Sequence, residues 1–159
     1  MDAAAASGGE IAAIALTHVD PDHAAGAEGL ALRLNVPIYA GPGGGRDLPY
    51  SVRELAGGQR ITDGETQLEA IATPGVRPDH VAYATAADAD GGSILVGDLI
   101  GPQADRTVLG PVNGAARAAS VDVISARGPD QVFPGHGEPQ GPDALRVSGG
   151  ATPPGSGGS

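Results

Sequence analysis

This chain has almost nothing large to place in a core. Its 159 residues include one Phe, one Met and no Trp, and large side chains dominate core burial. Hydrophobic residues make up 40% of the chain, but many of them are Ala. A core has to come from Ile, Val and Leu and will be thin. The 27 Gly and 14 Pro, about a quarter of the sequence, divide the apolar residues into short pieces. The chain has room for one domain of short strands and helices joined by many turns.

The order of those pieces is legible. Residues 11–16, IAAIAL, are short, apolar and followed by an abrupt polar change, as in a buried strand. The loop THVDPDH follows. Asp22 stands where an N-cap would stand, and residues 23–34 carry Ala, Leu and Glu at helical spacing, ended by Asn35 and Pro37. Residues 36–40 form a second strand, so 11–40 reads as a βαβ-like unit. Residues 41–59 are loop-rich. Their GPGGGR segment lacks the Lys-Ser/Thr ending of a phosphate-binding loop and reads as a flexible connector. Strands are expected at 59–61, 68–72, 80–85 and 93–96, with hairpin signals at Asp63-Gly64 and Asp90-Gly91. A helix is expected over 115–127, closed by Gly128-Pro129, and a last short strand over 131–133. From Val147 the chain is mostly Gly, Ser, Pro and Thr. The expected organisation is one domain at 1–146 and a disordered tail at 147–159.

Several function classes are disfavoured. The chain has no Cys, which removes disulfides and thiolate metal sites. Its net charge is -10, with all nine basic residues Arg, which argues against nucleic acid and anionic membranes as partners. No apolar run approaches the ~20 residues that span a bilayer, and the start lacks the basic and apolar regions of a signal peptide. The expectation is a soluble, cytoplasmic protein acting on a small-molecule substrate.

The four histidines, His18, His23, His80 and His136, all fall in loop-like places, at strand ends or beside Gly and Pro. The segment His18-Val19-Asp20-Pro21-Asp22-His23 places two imidazoles and two carboxylates within six residues. Those are ligands for Zn²⁺ and similar divalent ions. The same residues also suit plainer roles, Asp22 as a helix cap and Asp20 in a turn. Residues 94–98, ILVGD, bring Asp98 to the end of an apolar strand, where α/β folds place ligands. In 132–137, VFPGHG, His136 stands between two glycines that let it approach a bound group closely.

Taken together and in this order, the segments resemble the metallo-β-lactamase superfamily. Its first motif, Thr-His-x-His-x-Asp-His, corresponds to THVDPDH at 17–23. Its Thr-Pro-Gly-His segment corresponds to TPGVRP at 73–78, its strand-end Gly-Asp to Gly97-Asp98, and its Pro-Gly-His-Gly to 134–137. The wording ARGPDQVFPGHGEP is similar to the glyoxalase II-like and β-lactamase-like ribonuclease branches. The resemblance covers about 11–139. It implies an αββα sandwich of α/β class lacking its N-terminal strands, and a chain truncated relative to the family.

The resemblance further implies two metal positions sharing the strand-end aspartate. Carried over, the second position is complete, with Asp22, His23, Asp98 and His136. The first keeps His18, has Asp20 for a histidine, and has Val76 where the third histidine belongs. The implied cofactor is Zn²⁺, one ion rather than two, with Fe or Mn as alternatives. Asp22 is the implied catalytic carboxylate, and His80 is implied near substrate. The implied function is hydrolysis of an ester, thioester, lactam or phosphodiester by metal-activated water, with reduced activity. The alternative is a non-catalytic relative that binds one metal or none.

Overall fold

The computed structural model describes residues 10–63, 66–85, 92–107 and 109–148. Two sheets form. Strands β1 (Ile14–Ala15), β2 (Ile38–Ala40) and β3 (Arg53–Glu54) make a small parallel sheet in that order. Strands β4 (Arg60–Asp63), β5 (Thr66–Ala72), β6 (Val81–Thr85), β7 (Ser93–Gly97) and β8 (Gln131–Pro134) make the second, also in sequence order. The first four are antiparallel neighbours, and β8 returns parallel to β7.

Side-chain alternation along the strands sorts the apolar residues into three layers of contact. One cluster joins Leu16, Ile38 and Ala40 to Ala24 and Ala27, on helices α1 (Pro21–Ala24) and α2 (Ala27–Leu34). Ala15 and Tyr39, from the opposite face of the same sheet, pack with Ala70, Val81 and Tyr83 of the larger one. The far face of the larger sheet contributes Ile71, Ala82, Ile94, Val96 and Val132. These meet Val121 and Ile124 of α3 (Gly114–Ala126) and Leu145 of α4 (Asp143–Ser148). The layers therefore run helix, sheet, sheet, helix, and none of the three contacts contains a Phe. Among the described residues, two hydrogen bonds cross between the sheets. The Tyr83 hydroxyl donates to the Leu16 carbonyl at 2.9 Å, and the Val81 N–H donates to the Thr17 carbonyl at 2.8 Å.

The βαβ-like unit is present, with β1 and β2 pairing in parallel. The helix expected over 23–34 is broken in two at Ala25 and Gly26, and Asp20, not Asp22, occupies the N-cap position of α1. Pro21 opens that helix, a position where its missing N–H costs nothing. The 41–59 connector contains a 3₁₀ turn at Gly44–Asp47 and strand β3. Helix α4 runs two residues into the expected tail, and the rest of that tail lies outside the described residues. The Asp90-Gly91 turn and Gly64 also lie outside them.

Candidate metal centre

The chemistry-bearing residues gather where β1, β7 and β8 end and β6 begins. The backbone leaves β1, passes His18, and at Asp20 is still extended, with φ -62° and ψ 146°. Pro21 then starts the single helical turn carrying Asp22 and His23. From the larger sheet, β7 ends at Gly97 and delivers Asp98, while β8 ends at Pro134 and delivers His136 two residues later. Gly97 has φ +51°, and a Cβ there would lie 2.7 Å from the Thr17 hydroxyl and 2.9 Å from His80 Nε2. Gly135 is under similar pressure. Its Cβ would meet Asp98 Oδ1 at 2.6 Å and His23 Cε1 at 2.7 Å. Both glycines leave space that the converging side chains need.

Asp22, His23, Asp98 and His136 each offer a donor atom, and these atoms lie within 4.8 Å of one another. His136 Nε2 is 3.0 Å from Asp22 Oδ2 and 3.8 Å from Asp98 Oδ1. His23 Nε2 is 3.4 Å from Asp98 Oδ1 and 3.7 Å from Asp22 Oδ2. His23 Nε2 and Asp98 Oδ1 are buried without a hydrogen-bond partner among the described residues, an expensive arrangement for polar atoms. Two imidazoles and two carboxylates converging on one point suit a divalent ion of the Zn²⁺ class. The charges already favour the ligating forms at Asp98. Burial alone would raise its carboxyl, but contact with His23 and the charges of His18 and His136 hold it below the usual range. Contact with Asp98 outweighs burial at His23 and raises that imidazole.

The other expected residues stand around this group. His18 is fully buried, with Nε2 3.8 Å from Asp98 Oδ2 and its ring 4.0 Å from that of His23. Burial, then the neighbouring His23, lowers its affinity for a proton. His80 is buried behind it, ring to ring at 5.2 Å, with Nδ1 2.9 Å from the Thr73 hydroxyl. Burial pushes His80 down to about 3, with His18 adding to the effect, so it is neutral at pH 7. It does not line the cavity at the site.

Asp20 faces a different partner. One oxygen is 3.5 Å from Arg77 Nη1, and the other accepts a hydrogen bond from the Thr107 hydroxyl at 2.8 Å. Arg77 is 5% exposed; it also donates to Asp79 at 2.8 Å, to Asp47, and to the Leu109 carbonyl at 3.3 Å. Sequence reasoning stopped at Val76, which is 1% exposed, and overlooked its neighbour. The available signal was a lone Arg in a tight Pro-Gly-Val-Arg-Pro turn with Asp79 two residues on.

A cavity of about 550 Å³ is lined by Asp20, Asp22 and Asp98 and by the segment carrying Asp105, Arg106 and Thr107. Among the described residues, Arg106 is its single basic lining residue, and it is exposed.

The sequence matches the family model described as the Metallo-beta-lactamase superfamily over residues 1–136. A hydroxyacylglutathione hydrolase from Acidiphilium cryptum is 39% identical over 83 residues, covering 52% of this chain and 34% of that protein. The fold is similar to a metallo-beta-lactamase from Staphylococcus aureus, with a TM-score of 0.75 at 22% identity, covering 95% of this chain and 52% of the other. It is also similar to TTHA1623, crystallised in a di-iron-bound form, with a TM-score of 0.71 at 25% identity over 92% and 79% of the two chains. This chain thus spans about a third of the curated relative and half of the staphylococcal protein.

Proposed function

This chain belongs to the metallo-β-lactamase superfamily, and from that premise we propose that it is a metal-dependent hydrolase of small ester-like substrates. The reading rests on one observation, the convergence of Asp22, His23, Asp98 and His136 with unpartnered buried donor atoms at the centre. Zn²⁺ is the proposed ion, and Fe or Mn would suit the same donors. When bound, such an ion supplies Lewis acidity and a water nucleophile near neutral pH. The protein's own groups do the rest. Asp98 is buried and holds the imidazoles in place. Asp22 is half-exposed beside the cavity, where its carboxylate can accept a proton from attacking water.

Arg106 favours substrates with a negative group. It shares the cavity lining with four carboxylates, Asp20, Asp22, Asp98 and Asp105, so an anionic substituent would settle toward it and away from them. A thioester or ester bearing a carboxylate suits this arrangement. The A. cryptum relative is a hydroxyacylglutathione hydrolase by name, which supports the thioester reading. Metal-loaded protein should hydrolyse an acidic thioester, and His136→Ala or chelation should reduce the rate by about 10²-fold or more, within the range that loss of a transition-state contact produces. Arg106→Ala should raise KM with little change in kcat. Loaded protein that turns over no ester, thioester, lactam or phosphodiester would support the second reading, a non-catalytic metal-binding relative. That reading draws on Asp20 being occupied by Arg77.

A further inference from the structure

We infer that the Arg77 guanidinium stands in for a cation beside Asp20, so that the chain binds a single metal ion and Asp20 is a strut of the cavity wall, not a ligand. The inference rests on the proposed four-residue metal site, and concerns what the other half of the centre does.

The half entered by His18 and Asp20 does not fit a second ion. His18 Nε2 is buried without a hydrogen-bond partner among the described residues, but Val76 is apolar and buried, and the Asp20 oxygens face Arg77 Nη1 at an ion-pair distance of 3.5 Å and the Thr107 hydroxyl at 2.8 Å. The carboxylates at this point already share a positive charge. Asp20 and Asp79 are each 3% exposed, and two buried carboxylates without a cation would be costly. Arg77 supplies that cation in planar form, with Nε on Asp79, Nη2 on Asp47 and Nη1 toward Asp20. A guanidinium suits such a junction because its donors are fixed in a fork and it keeps its charge when buried. A divalent ion at the same place would meet the guanidinium at close range.

The contacts also give Arg77 a positioning role. Asp20 lies on the loop after β1, Asp47 on the 3₁₀ turn after β2, and Thr107 and Leu109 on the segment between β7 and α3. Through Arg77 and Asp20, three segments that are distant in sequence are tied together at one side of the cavity. The loop bearing Arg106 is one of them.

Cobalt titration followed by native mass spectrometry and calorimetry tests this. Wild type should take up one ion per chain. Asp20→Asn should also take up one, with Kd changed by less than about threefold. Arg77→Met should take up two, because Asp20 and Asp79 lose their cation, and added metal should raise its Tm by more than it raises that of wild type. Two ions on wild type, or a Kd for Asp20→Asn weakened tenfold or more, would overturn the inference. So would a folded Arg77→Met protein that still takes one ion. If Arg77→Met does not fold at any metal concentration, the wild-type stoichiometry and Asp20→Asn decide. His136→Ala separates the two readings, since retention of the ion in that variant would remove the four-residue site while the Asp20→Asn result still reports on the Arg77 cluster.

Discussion

His80 shows how burial sets a property that sequence position alone does not disclose. It was expected near substrate, and it lies inside, against Gly97 and Thr73. An imidazole pushed down to about 3 by burial together with His18 stays neutral in the fold while the unfolded chain titrates near pH 6.5. Above pH 6.5 neither state is protonated there. As pH falls toward 3, the unfolded chain gains a proton that the folded one refuses, so stability is lost across that window by up to about 1.4 kcal/mol per pH unit. His23, raised by its contact with Asp98, works in the opposite sense, so a comparison is needed. Urea unfolding of metal-free wild type and His80→Gln at pH 7 and pH 5 should show a smaller loss on acidification in the variant. An equal loss in both would mean that His80 is protonated in the fold.

At the scale of elements, α3 depends on its cap. Asn113 Oδ1 accepts the Ala116 N–H at 3.0 Å, and the helix lays Val121 and Ile124 on the larger sheet. Asn113→Ala should cost about 1 kcal/mol of stability, read as a fall in urea midpoint with unchanged slope. The sequence placed this helix within one residue at each end, expecting 115–127 against the observed Gly114–Ala126, because a Gly-Pro stop is a local signal. Strands β4 to β8 were similarly legible through their alternation and apolar runs. What failed was set by tertiary contacts. Strand β3 is only Arg53–Glu54, both exposed, and no apolar pattern can announce a strand made by backbone pairing with β2. The break in the helix at Ala25 and Gly26 was hidden because Ala suits a helix and one Gly is tolerated in it. In the site, the residues in motifs were legible and Arg77 was not, because its partners Asp20, Asp47 and Leu109 are 30 or more residues away.

Across the whole molecule, the candidate metal donors divide between layers. Asp22 and His23 follow the small sheet, while Asp98 and His136 follow strands of the large one. An ion held by all four would join the two sheets at one end, where the direct links are Val81 to Thr17 and Tyr83 to Leu16. With a core this poor in large side chains, that link should be visible in stability. Metal at 100 times Kd adds about 2.7 kcal/mol if it binds only the folded chain. Thermal unfolding should therefore move upward with added metal in wild type and should not move in His136→Ala. No helix among the described residues is long and apolar enough to cross a membrane.

The Arg77 cluster gives one side of the cavity an independence from metal supply. A chelator or a metal-poor cell can empty a site made of imidazoles and carboxylates, but nothing strips a guanidinium from the chain. With the ion gone, Asp20, Asp47, Thr107 and Leu109 would keep their anchor. A starved molecule would wait with that wall of its cavity assembled, and recovering the ion would need arrival alone, without the loops first having to find one another again.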